Sequence, residues 1–132
     1  MTPNFSAKSS ERLESCHPLL QDIFGEVIKH RDCSILFGYR GREEQEEAFR
    51  NGNSKAHYGN SNHNFYPSLA VDAMPWPINW DDIKGIHEFA GFVLGIAAAK
   101  GIPIRWGGKF KSFFDGPHFE LVGITGTLKE DQ

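Results

Sequence analysis

The chain has 132 residues and a formal net charge of −3 at pH 7, and 39% of its residues are hydrophobic. This length predicts a single domain, and eleven Phe, three Trp and three Tyr provide enough bulk for its core. The charge balance offers no basic stripe, so nucleic acid is not an expected partner.

The sequence has neither a candidate membrane span nor a secretion signal. Residues 89–99 are nearly all apolar, but this run is too short to cross a bilayer and predicts a buried helix face instead. Residues 1–8 lack the basic-then-apolar pattern of a signal peptide. We therefore expect synthesis in the cytoplasm and no stable membrane association. Cys16 and Cys33 lack metal-ligand spacing and are predicted to be free, buried thiols.

The first half of the chain predicts three helices and one strand. Residues 9–13 begin with two serines that can cap a helix, and they predict a short one. Pro18 suits the first position of a second helix, because its missing N–H costs nothing there. Residues 33–40 predict a strand that ends in Arg40. Residues 42–50, rich in glutamate, predict a polar-faced helix that stops at the following Asn-Gly pair.

The second half begins with a long loop at residues 51–67, rich in Asn, Gly and Ser. Loops of this length in compact domains usually bind something. Residues 69–74 predict a short strand, and residues 83–97 carry the clearest helical stripe of the chain. Gly91 and Gly95 within that helix suggest a groove where a sheet or another helix approaches closely.

Two further strands are predicted at residues 102–106 and 117–122. The chain shows no internal repeat and no linker. The order of these elements predicts one α+β domain, with a small antiparallel sheet and flanking helices.

Three residues of metal-ligand type lie beside loops at the edges of the predicted strands. His63 is in the long loop, and Asp72 ends an apolar Leu-Ala-Val run, where an unpaired buried carboxylate would be costly. His118 and Glu120 share one face of the last strand, and the neighbouring Phe and Leu share the other. Two histidines and an aspartate could hold a zinc ion with one coordination position open for water.

Each candidate also has a simpler explanation. A single histidine in a polar loop is usually solvated, an aspartate at a strand end can cap a turn, and Arg40 can be a surface cation. His57 can replace one ligand, although its place in the loop favours solvation.

Asp115 can fold back across its Gly-Pro turn to act as the base, and Glu120 can instead be the base or orient a liganding histidine. The residue pattern alone leaves the choice of base open.

Four motifs of the chain resemble those of a known family. The motifs that carry the resemblance are Ser61-Asn62-His63, Ala70-Val71-Asp72, Trp106-Gly107-Gly108 and Asp115-Gly116-Pro117-His118-Phe119-Glu120-Leu121. In this order they are similar to the phage L-alanyl-D-glutamate peptidases, zinc endolysins of the D-alanyl-D-alanine carboxypeptidase and hedgehog superfamily. The resemblance covers about residues 18–121 and implies a hedgehog/D,D-peptidase-like fold.

The resemblance also implies roles for individual residues. His63, Asp72 and His118 would be the zinc ligands, and Asp115 the catalytic carboxylate. Arg40 matches the arginine that lies near the scissile carbonyl. Glu120 then remains a candidate for supporting a liganding histidine.

The function implied is that of a zinc-dependent peptidoglycan endopeptidase. Such an endolysin hydrolyses the L-alanyl-D-glutamate bond of stem peptides and lyses the host cell. We expect one monomeric catalytic domain spanning residues 1–132 without a separate wall-binding domain, an architecture that resembles the endolysins from phages of Gram-negative hosts. We expect the protein to be made in the host cytoplasm and to act in the periplasm after a membrane-permeabilising partner releases it.

Two alternatives stay open. One is a D-Ala-D-Ala carboxypeptidase or dipeptidase of the same superfamily, and the other is a non-catalytic, metal-stabilised module that binds cell wall. A purely structural zinc would need a fourth protein ligand, which argues against the second alternative. The gap between His63 and Asp72 is longer than in many relatives, and residues 64–68 are expected to bulge beside the metal.

Overall fold

Residues 4–111 and 113–129, which the computed structural model describes, form four α-helices and four β-strands. The helices are α1 (Ala7–Glu14), α2 (Pro18–Val27), α3 (Arg42–Arg50) and α4 (Ile83–Ala99). The strands are β1 (Cys33–Phe37), β2 (Ala70–Pro75), β3 (Ile104–Trp106) and β4 (His118–Leu121). Short 3-10 turns span Asn62–Asn64 and Gly107–Lys109.

The strands form one antiparallel sheet in the order β1-β2-β4-β3. This arrangement confirms the predicted α+β class with a small antiparallel sheet. The register places Asp72 of β2 directly opposite His118 of β4. Directly opposed residues of antiparallel strands have their side chains on the same face and in contact distance. Two of the candidate ligands are thus paired by the sheet itself.

The other face of the sheet is covered by helices. Phe119, next to His118, is fully buried, and its ring makes edge contacts with Phe24 of α2 and Phe89 of α4 at centroid distances of 5.7 and 6.5 Å. Leu121 is buried as well. The predicted alternation along the last strand is therefore confirmed: its apolar residues enter the core, and its polar residues point to the opposite face.

The predicted helices are present, with one correction at the start of the chain. Helix α2 begins at Pro18 and α3 spans residues 42–50, as predicted. Helix α1 begins earlier than expected, at Ala7, because Ser6 and not the Ser9-Ser10 pair is its N-cap. Ser9 is instead buried, and its Oγ accepts a hydrogen bond from the backbone N–H of Ile35 at 3.0 Å. That bond ties the helix to β1.

The groove expected at Gly91 and Gly95 is not present. Both glycines are exposed on the outer face of α4, and a Cβ built at either position meets no atom within 4 Å. The apolar stripe of α4 that packs on the sheet runs along the other side, through residues such as Phe89 and Val93. Within residues 4–111 and 113–129, no other element therefore approaches these two glycines closely.

Both cysteines lie in the core, and the described helices are short for a membrane span. Cys16 and Cys33 are free and buried, as predicted, and burial raises the pKa of each thiol to about 12. They are consequently protonated, unreactive core residues at neutral pH. Among the helices of the described residues, none has the length and apolar character needed to cross a bilayer.

Candidate metal centre and groove

Three separate parts of the chain bring His63, Asp72 and His118 together. His63 lies in the first 3-10 turn, Asp72 in the middle of β2 and His118 at the start of β4. Asp72 Oδ1 is 3.1 Å from His63 Nε2 and 3.1 Å from His118 Nδ1. All three side chains are buried, and their ligand-type atoms lie within 4.8 Å of one another. A single small cation can contact atoms at this spacing.

In each of the two imidazoles, the ring nitrogen that faces away from Asp72 is hydrogen-bonded to an oxygen acceptor. His63 Nδ1 donates to the Gly38 carbonyl oxygen at 2.8 Å, because a carbonyl can only accept. His118 Nε2 lies 2.6 Å from Glu120 Oε1, which likewise accepts from it. The other nitrogen of each ring, His63 Nε2 or His118 Nδ1, then faces Asp72 Oδ1 and is the one that could bind a metal ion. Backbone carbonyls and carboxylates in this position are the usual partners of metal-bound histidines, so the donor set fits a metal ion.

Charge coupling within the three residues is strong. Burial alone would raise the pKa of Asp72, but the adjacent imidazoles of His63 and His118 outweigh burial and hold that pKa well below its usual range. Burial would lower the pKa of His118, but its hydrogen bonds with Asp72 and Glu120 raise it to about 10. An incoming metal ion must displace a proton from His118, and its affinity should therefore increase with pH.

Glu120 is occupied on both carboxylate oxygens. Oε1 accepts from His118, and Oε2 accepts from Arg105 Nε at 2.6 Å. Burial opposes its charge, yet these two partners lower the pKa of Glu120 to about 2. Because Glu120 is ionised and both of its oxygens accept hydrogen bonds, it is better suited to orienting His118 than to acting as a general base.

Asp115 lies at the edge of the centre, with its side chain 33% exposed and Oδ2 3.9 Å from His118 Nδ1. Burial and the negative charge of Asp72 raise its pKa. Two hydrogen bonds hold the turn that contains Asp115. Trp106 Nε1 donates to the Gly116 carbonyl oxygen at 2.6 Å, and the backbone N–H of Asp115 donates to the Gly107 carbonyl oxygen at 3.1 Å. A Cβ at Gly107 would collide with the Asp115 backbone, so only glycine allows this close approach.

Arg40 is buried beside the three candidate ligands and is not the surface cation of the simpler explanation. Its side chain is 9% exposed, and Nη2 lies 3.9 Å from Asp72 Oδ2. The guanidinium stacks on the Phe37 ring, with its carbon 4.8 Å from the ring centroid. Nη1 donates to Gln45 Oε1 at 3.1 Å. Arg40 is therefore held in one position on the open side of Asp72.

Gln45 and Asn64 support this part of the molecule, and the sequence pattern did not predict a role for either residue. Each is fully buried. Asn64 Nδ2 donates to the Arg40 carbonyl oxygen at 3.0 Å and to Gln45 Oε1 at 3.1 Å, and Gln45 Nε2 donates to Ser54 Oγ at 2.8 Å. One signal was available: α3 contains only two apolar residues, Ala48 and Phe49, so the helix can pack only by burying a polar side chain.

The bulge expected at residues 64–68 is limited to its middle. Tyr66 and Pro67 are exposed, but Asn64 and Ser68 are fully buried, and Phe65 forms a β-bridge with Leu128. The two ends of the segment are fixed because their polar side chains form hydrogen bonds with buried backbone groups. Ser68 Oγ, for example, donates to the Ala70 carbonyl oxygen at 2.6 Å.

The remaining histidines lie outside the candidate metal centre. His57 is exposed, 2.8 Å from Glu46 Oε2 through Nδ1, and packs against Phe49. His17 caps α2, His30 pairs with Glu26, and His87 stacks on Phe114. Of the tryptophans, Trp106 is buried, while Trp76 and Trp80 are exposed.

A groove runs past the centre and has two halves that meet at Arg40, Asp72 and Asp115. The first, which we call the apolar half, is a cavity of about 680 Å³. The second, the cationic half, is a cavity of about 740 Å³. Side chains that line the apolar half include Leu36, Phe37, Trp80, Ile83 and Phe114. Those that line the cationic half include Lys55, Arg105, Lys111, His63 and His118. The candidate centre thus opens onto a groove that extends to both sides of it.

Known proteins share this arrangement of sequence and fold. The chain matches the family model described as phage L-alanyl-D-glutamate peptidase over residues 1–122. It is similar to the peptidoglycan L-alanyl-D-glutamate endopeptidase CwlK of Bacillus subtilis (strain 168), with 28% identity over 106 residues. That alignment covers 69% of this chain and 61% of CwlK, so the chain spans about three fifths of that relative's length.

A solved structure agrees with the family match. The crystal structure of the Serratia marcescens L-Ala D-Glu endopeptidase ChiX superposes on the chain with a TM-score of 0.76. The two sequences are 30% identical, and the superposition covers 90% of each chain. Since the family model covers nearly the whole chain and the fold agrees with it, this protein belongs to the phage L-alanyl-D-glutamate peptidase family.

Proposed function

We propose that this chain is a zinc-dependent peptidoglycan endopeptidase that hydrolyses the L-alanyl-D-glutamate bond of stem peptides. The observation that carries the proposal is the convergence of His63, Asp72 and His118 on one point, with Asp115 beside it at the floor of an open groove. Two imidazole nitrogens and a carboxylate are a donor set that catalytic zinc uses, because it leaves the fourth position for water.

In this proposal the protein's own residues divide the chemistry between them. Bound zinc supplies Lewis acidity, which makes a water molecule nucleophilic near neutral pH. Asp115 takes the proton of the attacking water and passes it to the leaving amine, a role that its raised pKa supports. Glu120 keeps His118 in the tautomer and orientation that present Nδ1.

Arg40 is proposed to stabilise the negative charge that develops on the attacked carbonyl oxygen. Its charge is permanent, its position is fixed by Gln45 and Phe37, and it borders both halves of the groove. A donor that is already in place needs no rearrangement when the charge appears, which makes it effective in a site shielded from water.

Digestion of purified muropeptides, followed by mass analysis, tests the proposed activity. We expect whole stem peptides to be released from muramyl-L-alanine, and we expect a chelator to stop the release until zinc is restored. Removal of a terminal D-alanine alone would indicate a D,D-carboxypeptidase instead. Binding to cell walls with no product, in zinc-loaded protein, would indicate a non-catalytic wall-binding module.

Arg40→Lys is expected to bind zinc normally and to lose about 100-fold or more in turnover, the effect of removing one oxyanion donor. Lysine keeps the positive charge but loses the planar fork that contacts Gln45 and stacks on Phe37. Turnover, zinc content and thermal unfolding should be measured on the same preparation. Arg50→Lys, at the exposed end of α3, is the matched control. Activity of Arg40→Lys within a few-fold of the parent would exclude an oxyanion role.

We further propose that the activity serves host cell lysis. The family contains phage peptidases, and a peptidoglycan substrate lies outside the cytoplasmic membrane. The protein, as a monomeric catalytic domain, would therefore reach its substrate after a separate protein permeabilises that membrane.

A further inference from the structure

The two halves of the groove differ in charge. In the apolar half the charged residues nearest the aromatic walls, apart from those shared with the centre, are acidic: Glu44 and Glu47 of α3. In the cationic half, Lys55, Arg105 and Lys111 line the wall, and the acidic residue that lines it outside the centre, Glu120, is paired with Arg105. A peptide that crosses the centre therefore meets opposite electrostatic fields on its two sides.

The two lysines of the cationic half are the cations that remain available to a ligand. Arg105 is engaged with Glu120, which in turn holds His118. Lys55 and Lys111 are exposed, and within residues 4–111 and 113–129 neither forms an ion pair with a carboxylate. Lys55 Nζ lies 5.8 Å from the centre of the Phe113 ring, so its charge is directed along the groove wall.

The two sides of the L-alanyl-D-glutamate bond differ in charge. A glutamyl residue has two carboxyl groups, and only one of them continues the peptide chain, so the other remains as a free carboxylate. The alanyl residue on the opposite side of the bond contributes only a methyl group. The anion of the substrate therefore lies on its D-glutamyl side.

We propose that Lys55 and Lys111 bind the free carboxylate of the D-glutamyl residue and so fix the direction of the stem peptide across the metal centre. The D-glutamyl side occupies the cationic half, and the muramyl-alanyl side occupies the apolar half against Phe37, Trp80 and Ile83. Glu44 and Glu47 oppose the reversed direction, because they would face the anion. This inference rests on the proposed function.

The test compares two synthetic muramyl-L-alanyl-D-glutamyl peptides, one with the free carboxylate and one with a carboxamide in its place. We expect the parent to cleave the carboxylate form with a kcat/KM about fivefold or more above that of the carboxamide, the upper range for an exposed ion pair. Lys55→Ala/Lys111→Ala should lose this preference by slowing only on the carboxylate form. Lys84→Ala, an exposed lysine on α4, should retain it.

The outcomes separate the inference from the function on which it rests. Cleavage of both peptides by the parent, with the preference unchanged in the double lysine variant, would overturn the inference alone. A parent that instead prefers the carboxamide form, with that preference reduced in Glu44→Gln/Glu47→Gln but not in the lysine variant, would mean that the peptide runs in the other direction. If zinc-loaded parent cleaves neither peptide, the proposed function fails and the inference fails with it.

Discussion

Alanine at His63, Asp72 or His118 is expected to remove the metal ion and with it all activity. The parent should carry about one zinc per chain, with metal–nitrogen distances of about 2.0–2.1 Å. Each substitution leaves two protein ligands of three. Loss of Asp72 has a second effect, because the carboxylate lies 3.1 Å from both imidazoles and holds them in place.

Elemental analysis of the purified variants measures this effect directly, and circular dichroism shows whether each variant is folded. His57→Ala is the matched control, since His57 is in the same loop as His63 but pairs with Glu46 on the surface. It should keep its full zinc content. Full zinc occupancy in any one of the three alanine variants would exclude that residue from the ligand set.

The second large effect is expected at Asp115. Asp115→Ala should keep its fold and its zinc and yet lose about 10²–10⁴-fold in turnover, the range for removal of a general acid–base group. The metal ligands are intact in this variant, but no carboxylate accepts the proton of the attacking water. Lysis or muropeptide release, measured beside zinc content, separates the loss of turnover from the loss of metal.

Glu120→Ala should fail in a different way. Its carboxylate holds His118 Nε2 at 2.6 Å, so its removal is expected to weaken zinc affinity by roughly 10–100-fold while excess zinc restores much of the activity. Asp81→Ala, on the exposed approach to α4, should change neither property. An active Asp115→Ala beside an inactive, fully zinc-loaded Glu120→Ala would reverse the two roles.

Local patterns were sufficient to predict most elements of the fold. Helix α3 was predicted with its observed bounds, and α2 begins at its predicted proline. These features depend on neighbouring residues in the chain, through caps, periodicity and the fixed geometry of proline. Gly91 and Gly95 show the limit of such patterns: their spacing suggested a contact, but which face of a helix another element covers depends on residues far away in the chain.

The residue types of the candidate centre could also be predicted from the sequence, because a carboxylate within an apolar strand is costly to bury unless it has a partner. The sequence could not assign the partners. Only the antiparallel register places Asp72 opposite His118, and only the packing of the long loop brings His63 to both. The burial of Arg40 and the polar contacts of Gln45 and Asn64 likewise depend on three-dimensional packing.

The sequence by itself thus determined most of the elements, the α+β class and the residue types of the candidate metal centre. The tertiary structure decided which nitrogen of each imidazole faces Asp72, and it placed Glu120 behind His118 rather than at the open side. It also decided that the groove is apolar on one side and cationic on the other. The physical reason is that local conformation is set by near neighbours, whereas hydrogen-bond partners, burial and electrostatic fields are set by residues that only folding brings together.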